Sequence, residues 1–360
     1  MDWFSLRLAE FRERRRRRAI DERIRHEKNS MDSENVTRQN FILLGFPQSG
    51  KSTFLKQLRI LHGGGYTESQ RREMRTRIYQ MMVAVMKLLV EELVKSSVSF
   101  SDPVNEHHRL SLDEITVSSV TGYHQSFMDI LISLWNDDAI KKSFQRQSML
   151  LPTSTKYFFD NLSRISGADY VPTEHDVLML ATPTTSVEEH VFEIDTKRYR
   201  MTEPGGQRPL STNWFQLFAD VNCMLYFVDL SGFDQPCPWS DHENALEGAR
   251  ALFATVSGSR WFCHCTHLVM FSRQDVMKEK LLNDFSSFQK CFPDYTGPSD
   301  DCQEVFCFIQ MMFIKADASE TSDVHCVFVN LTDTHNTRFV FQIVQDILRR
   351  PTRCNCCDLL

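Results

Sequence analysis

The sequence predicts an α/β fold in which one sheet is interrupted by an all-helical insertion. Strand-like apolar runs occur near residue 41 and again after residue 186, with helical patterns between or after the later runs. The intervening third carries apolar residues at helical spacings instead. We therefore expect the outer segments to share one sheet and the middle segment to form a separate helical unit.

Residues 41–45 form the first predicted strand, and they lead directly into GFPQSGKS at residues 45–52. This G-x-x-x-x-G-K-S pattern is typical of a loop that binds nucleotide phosphates, because its glycines let backbone N–H groups face phosphate oxygens. Lys51 adds a positive charge, and Ser52 offers a hydroxyl to Mg²⁺. Residues 53–61 have helical spacing, which would place the loop at a helix N-terminus, where anions are favoured.

The middle third contains a long buried helix pattern over residues 73–93, followed by shorter patterns over 127–135 and 157–165. Prolines in this region mark breaks between the predicted helices. After it the sequence predicts strands at 187–194, 198–201, 223–229, 267–271 and 326–331, and a helix at 336–349. We expect a basic N-terminal helix at 1–37, an α/β domain split between 38–65 and 176–360, and a helical domain at 66–175.

Positive charge is concentrated at Arg12 and at residues 14–18, although the formal net charge of the chain is −6. Such an arm can bind an acidic membrane surface or nucleic acid, and the apolar residues around the arginines suit an interfacial helix. A solvated helix face is the equal alternative. Nothing else indicates nucleic acid, since the chain lacks aromatic-basic interleaving and recognition-helix patterns. No run of about 20 apolar residues predicts a membrane span. The 11 cysteines begin at Cys223 and suit reduced thiols in the cytoplasm.

The order of these motifs resembles that of the α subunits of heterotrimeric G proteins over nearly the whole chain. Residues 38–68 are especially similar, and TTSV at 184–187 follows YVPTEHDVL at 170–178 as in the first switch of that family. MTEPGGQR at 201–208 resembles the second switch, and SRQD at 272–275 stands where the family has Asn-Lys-x-Asp. The resemblance implies a Ras-like GTPase domain with an inserted helical domain, GTP or GDP as ligand, and Mg²⁺ as cofactor.

The resemblance also implies roles for individual residues. Gln207 would orient the attacking water, and Ser52 and Thr184 would bind Mg²⁺. The nucleotide-binding residues would be Gly45, Gln48, Ser49, Gly50, Lys51, Ser52, Thr53, Leu178, Thr184, Glu203, Gly205, Gly206, Ser272, Arg273, Asp275 and Leu331.

Base recognition departs from the family pattern at Ser272, which is shorter than the usual asparagine and lacks its bridging amide. Asp275 retains the carboxylate that reads guanine, and Arg273 can lay an aliphatic stem against the base. Leu331 would offer a backbone N–H to the guanine oxygen. The alternative reading of Asp275 is a helix N-cap after a strand.

The catalytic centre departs further. The family supplies an arginine three residues before the switch threonine, and Ala181 occupies that position here. Gln48 replaces a glutamate that pairs with this arginine in the family, and Pro47 replaces a glycine beside the γ-phosphate. Glu203 replaces an aspartate and lengthens a water-mediated hold on Mg²⁺. These changes predict slow hydrolysis by a receptor-coupled switch; near-normal turnover is the milder alternative.

Two other functions remain open at this point: a nucleotide-loaded signalling adaptor with little hydrolysis, and, less favoured, a phosphate-loop kinase or ATPase. The tail at residues 353–360 resembles the receptor-binding terminus of the family, with a tail without a partner as the alternative. Binding of βγ subunits is doubtful because residues 209–213 lack the basic residues of the family, and no effector is indicated. The chain begins Met1-Asp2-Trp3 without a myristoylation glycine, so peripheral association with the plasma membrane would depend on the arginine run.

Overall fold

A computed structural model describes residues 37–147, 151–152, 154–181, 186–204, 221–237, 242, 244–259, 261–262, 265–318 and 324–349. In these residues the strands form one six-stranded sheet in the order β2-β3-β1-β4-β5-β6. The strands are β1 (Thr37–Gly45), β2 (Glu188–Ile194), β3 (Lys197–Glu203), β4 (Cys223–Asp229), β5 (Thr266–Ser272) and β6 (Val324–Val329). β2 is antiparallel to β3, and every other neighbouring pair is parallel, so five strands end at the same edge.

Helices cover both faces of the sheet and also form a separate unit between β1 and β2. The described α-helices are α1 (Lys51–His62), α2 (Glu68–Lys95), α3 (Val104–Glu114), α4 (Gln125–Asn136), α5 (Asp138–Gln147), α6 (Thr155–Asp160), α7 (Leu162–Ile165), α8 (Glu174–Met179), α9 (Ala245–Ser257), α10 (Gln274–Asn283), α11 (Phe285–Cys291), α12 (Cys302–Ala316) and α13 (Thr334–Arg349). No helix in the described part of the chain is long and apolar enough to cross a membrane.

The central strands β4 and β5 are buried on both faces, which explains their continuous apolar runs. On one face, Phe253 of α9 and Phe313 of α12 pack with Phe271 of β5 in one apolar cluster. On the other face, Phe54 of α1 and Phe341 of α13 pack together. The phosphate loop is therefore anchored between a buried strand and a buried helix.

The helical unit has a core of its own. Its longest helix, α2, begins with a capping box in which Thr67 Oγ1 accepts from the N–H of Gln70 and Gln70 Oε1 accepts from the N–H of Thr67. Tyr79 of α2 is fully buried and packs edge-on against Phe127 of α4. The cluster around them extends to Leu180, where the chain returns to the sheet.

The α/β class with a helical insertion, as predicted, is confirmed, while the domain boundaries remain predictions. Several elements differ from the sequence prediction in their ends, as two of them show. The predicted helix at 157–165 is divided at Asn161 into α6 and α7. The last strand ends at Val329, because the side chain of Asn330 accepts hydrogen bonds from the N–H and hydroxyl of Thr332 and turns the chain.

Candidate functional site

A cavity of about 430 Å³ lies at the edge where the parallel strands end. It extends from the phosphate loop to the loops that follow β5 and β6, and the helical unit adds residues such as Ser154 to its wall. The predicted site residues that line it are Gly45, Gln48, Gly50, Lys51, Ser52, Thr53, Leu178, Glu203, Ser272, Arg273, Asp275 and Leu331. The fold therefore brings residues that are 286 positions apart in sequence, from 45 to 331, to one cavity.

Two glycines of the phosphate loop have backbone conformations that other residues avoid. Gly45 has φ 128°, and a Cβ there would lie 2.3 Å from the carbonyl oxygen of Phe227. Gly50 has φ 107°, and a Cβ there would lie 2.3 Å from Cδ1 of Leu331. Both positions require glycine, because the loop approaches β4 on one side and the loop after β6 on the other.

The start of α1 fits an anion. The N-cap of α1 is Gly50, which has no side chain to accept hydrogen bonds from the backbone N–H groups of the first turn. The buried hydroxyl of Ser49 also has no hydrogen-bond partner among the described residues. Unpartnered donors at a helix N-terminus beside a glycine-rich loop form a site suited to phosphate groups.

Lys51 places its ammonium group inside this loop. Its Nζ donates to the carbonyl oxygens of Gly45 at 3.0 Å and Phe46 at 2.8 Å. Burial lowers the pKa of Lys51 to about 8, and the negative charge of Glu203 partly opposes that shift. A buried ammonium that donates to neutral carbonyl oxygens would gain from a negatively charged ligand.

Ser52 and Glu203 lie together beside the same loop. The hydroxyl of Ser52 donates to Oε1 of Glu203 at 3.0 Å, and Glu203 is 2% exposed. The longer arm of Glu203 therefore reaches Ser52 directly. In the described part of the chain, no group of three or more His, Cys, Asp or Glu side chains forms a metal cluster. A hydroxyl and a carboxylate nevertheless fit Mg²⁺, which takes few protein oxygens when phosphates complete its coordination.

Lys56, one helical turn after Ser52 on α1, is a cavity residue that the sequence analysis missed. Its Nζ donates to the carbonyl oxygens of Val177 at 3.0 Å and Leu180 at 2.6 Å, at the C-terminal end of α8. Burial lowers the pKa of Lys56 to about 8. The four-residue spacing from Ser52 could have placed Lys56 on the same face of α1 as Ser52. The sequence could not predict its carbonyl partners, because they are more than 120 residues away along the chain.

The beginning of α8 is fixed by a buried carboxylate in its first turn. Asp176 accepts two hydrogen bonds from Arg164, at 2.8 Å each, and one from each hydroxyl of Tyr157 and Tyr170. Burial alone would raise the pKa of Asp176, but these hydrogen bonds together hold it well below its usual range. The network positions the neighbouring Leu178, which lines the cavity.

Ser272 connects the base end of the cavity to the phosphate loop. Its hydroxyl lies 2.9 Å from the carbonyl oxygen of Ser49 and 3.1 Å from that of Val228, within hydrogen-bonding distance of both. Serine has no bridging amide, as expected, but its hydroxyl contacts the loop in place of that amide. Serine reaches the loop because the carbonyl oxygen of Ser49 approaches the end of β5 closely.

Asp275 lies exposed in the first turn of α10 and lines the cavity. It is not the N-cap, because that position is Arg273, so the capping alternative is wrong. Arg273 forms an ion pair with Asp229 at the end of β4, a partner that the sequence analysis did not find. Leu331 is held by Gln57 Nε2, which donates to its carbonyl oxygen at 2.9 Å.

Ala181 is exposed and lines the cavity at the end of the segment held by Lys56. Pro47 and Gln48 line the cavity as well, and Gln48 has a left-handed backbone with φ 63°. The remaining predicted residues, Thr184, Gly205, Gly206 and Gln207, lie outside the described residues, as do the N-terminal arginines and the C-terminal tail.

The site thus combines a glycine loop at a helix N-terminus, a hydroxyl paired with a carboxylate, and a carboxylate facing the far end of the cavity. The family model described as G-protein alpha subunit (G-alpha) matches residues 14–348 of the 360 in this chain. This match spans the strand edge, the cavity and the helical unit. The chain therefore belongs to the family of G-protein α subunits, which bind guanine nucleotides.

Proposed function

We propose that this α subunit is a guanine-nucleotide switch that transduces signals from G-protein-coupled receptors and hydrolyses GTP slowly. The observation that carries the slow step is Ala181, a methyl group on the cavity wall where a catalytic cation would stand. Phosphoryl transfer depends on charge stabilisation by prepositioned donors, so the loss of one cation lowers the rate.

In this proposal each part of the cavity has one task. Lys51 and the first N–H groups of α1 hold the phosphates, which gives the ammonium a charged partner in place of the carbonyls of Gly45 and Phe46. Asp275 accepts from the guanine N–H groups. Mg²⁺, when bound, neutralises phosphate charge, and Ser52 and Thr184 would hold it, with Glu203 behind Ser52.

The switch itself lies in segments outside the described residues. Thr184 and Gly206 would close on GTP, and Gln207 would orient the water. The tail at 353–360 would engage the receptor, and exchange of GDP for GTP would follow. Peripheral attachment to the cytoplasmic face of the plasma membrane would depend on the N-terminal arginines. Residues 209–213 lack the basic side chains that the resemblance would assign to βγ binding, so we expect βγ affinity to be reduced.

The test is a single-turnover assay with γ-labelled GTP and Mg²⁺ on the purified full chain. Bound nucleotide and released phosphate are recorded in parallel. We expect stable binding with phosphate release much slower than from an α subunit that carries the cis arginine. Release at the ordinary rate would contradict the role given to Ala181, and competition by ATP as strong as by GTP would contradict the role given to Asp275.

The second candidate is a nucleotide-loaded adaptor that exchanges nucleotide but scarcely hydrolyses it. Pro47 favours this candidate, because it removes a backbone donor from the phosphate loop and places a ring on the cavity wall. The same assay separates the two candidates. An adaptor retains labelled GTP and releases no phosphate over many hours, whereas the slow switch converts all of its bound GTP and releases the labelled phosphate.

A further inference from the structure

We propose that Asp229 is a positioning residue for the base: it anchors the guanidinium of Arg273, so that the aliphatic stem of Arg273 stays in the wall of the base pocket. This inference rests on the proposed binding of a guanine nucleotide. It assigns to Asp229 control over how long that nucleotide stays bound.

The sheet places the two residues side by side. Asp229 is the last residue of β4, and its Cα is paired in register with that of Ser272, the residue before Arg273. Nη1 of Arg273 is in contact with Oδ2 of Asp229. Each side chain is 25% exposed, so the pair is largely shielded from water and is stronger than a surface ion pair.

Asp229 is itself held in place. Its Oδ1 accepts from the N–H of Ser231 at 2.9 Å and from the hydroxyl of Ser231 at 2.6 Å. Ser231 is 2% exposed, and its carbonyl oxygen accepts from Nζ of Lys280 at 2.8 Å. The carboxylate cannot follow Arg273, so it acts as a fixed anchor for the guanidinium.

The backbone of Arg273 shows that this position is constrained. Arg273 has φ 57° and ψ 36°, the left-handed conformation that residues other than glycine rarely adopt. Such a conformation persists only where the surroundings hold it. With the head of the side chain fixed at Asp229, the methylene stem spans from this backbone to the end of β4.

Arg273 lines the cavity together with Asp275, whereas Asp229 is not among the lining residues. Asp229 therefore acts through Arg273, by shaping the part of the cavity wall that Arg273 forms near Asp275. If the anchor is lost, Arg273 samples other rotamers and the wall no longer covers the base. Dissociation of the nucleotide should become faster, since changes within one interface act mostly on the off-rate.

The experiment measures release of a fluorescent GDP analogue from the full chain in excess unlabelled GDP. Asp229→Asn keeps the shape and the acceptor for Ser231 but removes the charge, and we expect about three- to tenfold faster release. Asp229→Glu should restore much of the retention. The matched control is Glu189→Gln, which removes the charged partner of Arg200 in a similarly shielded pair that does not line the cavity, and it should leave the off-rate within about twofold.

A double-mutant cycle with Arg273→Ala tests whether Asp229 acts through Arg273. In the Arg273→Ala background, Asp229→Asn should cause no further acceleration. An equal acceleration in both backgrounds, or no acceleration in either, would overturn the proposal while the chain still retained GDP. A parent chain that retains no guanine nucleotide would overturn the proposed function as well.

Discussion

The hydroxyl of Ser52, in the first turn of α1, donates a hydrogen bond to Oε1 of Glu203 at the end of β3, at 3.0 Å. This contact joins the glycine loop to β3, the strand that leads into residues 205–208. Because residues behind a metal ligand orient it, Glu203→Gln should weaken Mg²⁺ binding to the GTP-loaded chain by about tenfold or more. A Mg²⁺ titration of nucleotide retention measures this change.

The control for that substitution is Glu193→Gln on β2, whose register partner is Arg198, away from the cavity. It should leave the Mg²⁺ dependence unchanged. If Glu203→Gln and the parent chain require the same Mg²⁺ concentration, then Glu203 does not support the ion and its contact with Ser52 is structural only.

Lys51 should make both nucleotide affinity and stability depend on pH, with opposite signs. The pKa of Lys51 is about 8 in the nucleotide-free chain, below the ordinary value of 10.5. As pH rises from 8 to 9 the ammonium is lost, so affinity for GDP should fall by up to about tenfold. Between pH 8 and 10.5 the unfolded chain binds more protons than the folded one, so the stability of the nucleotide-free chain should rise with pH.

Affinity is measured by equilibrium binding, and stability by urea unfolding, each at several pH values from 7 to 10. Lys56, with a similar pKa, contributes in the same direction to stability. Lys51→Met should therefore reduce the rise in stability without abolishing it. An affinity for GDP that is constant across this range would show that Lys51 does not pair with the phosphates.

The sequence predicted which residues lie together at the glycine-loop end of the cavity better than it predicted contacts at the end lined by Asp275. Residues 45–52 are contiguous, so local spacing sufficed to place Lys51 and Ser52 in one loop. The ion pair of Asp229 with Arg273 joins two strand ends 44 residues apart, and only the sheet order brings them together. The spacing of residues along the chain carries no information about such pairs.

The predicted ends of strands and helices were also accurate only where the local sequence determines them. β4 was predicted with its observed ends, because a strand buried on both faces is a continuous apolar run with polar neighbours. The two short helices on either side of Asn161 were predicted as one, since the apolar pattern continues through the break. The bridge from Ser272 to the phosphate loop depended on a close approach of two backbones, which residue type does not reveal.

The two hydrogen bonds of Lys56 should hold α1 against the C-terminal end of α8. Lys56→Met removes both hydrogen bonds to the carbonyl oxygens of Val177 and Leu180 but keeps most of the side-chain volume. We expect about tenfold faster GDP release, because each lost hydrogen bond from a charged group costs roughly 1.5–3 kcal/mol before the gain from not burying the charge. Release of a fluorescent GDP analogue measures the effect.

A matched control for Lys56→Met is Lys87→Met, which removes a bond to the carbonyl oxygen of Asp113 within the helical unit. That bond is exposed and distant from the cavity, so GDP release should not change. Equal rates of GDP release from the Lys56 and Lys87 variants would show that the hydrogen bonds of Lys56 do not help to retain GDP.

Gly50→Ala should abolish nucleotide binding and destabilise the fold. The new Cβ would meet Cδ1 of Leu331 at 2.3 Å and would also strain a backbone with φ 107°. Gly64→Ala is the control, since it has φ 75° but no atom within 4 Å of the added Cβ. In both variants backbone strain should lower the free energy of unfolding by about 1 kcal/mol. Only in Gly50→Ala should the contact with Leu331 lower it further. Urea unfolding of the two variants measures the difference, and equal losses would contradict the close approach.

Ala181→Arg should accelerate hydrolysis by about 10²-fold, the size of effect that one prepositioned donor contributes to a charged transition state. Ala181 is exposed on the cavity wall, so a longer side chain enters open space and should not disturb folding. Single-turnover phosphate release measures the rate. The control is Ala181→Leu, which adds bulk without charge and should leave the rate unchanged.

Gln48→Glu extends this prediction to the phosphate loop. Gln48 lines the same cavity, and a carboxylate there would give a new arginine at position 181 an anchoring partner. In the parent chain the same carboxylate would lie unpaired near the phosphates and should weaken GTP binding. The double variant should therefore bind GTP more tightly than Gln48→Glu alone, and hydrolyse it at least as fast as Ala181→Arg. Strictly additive effects on binding would show that the two positions do not meet, and unchanged turnover in Ala181→Arg would mean that the missing cation is not what limits hydrolysis.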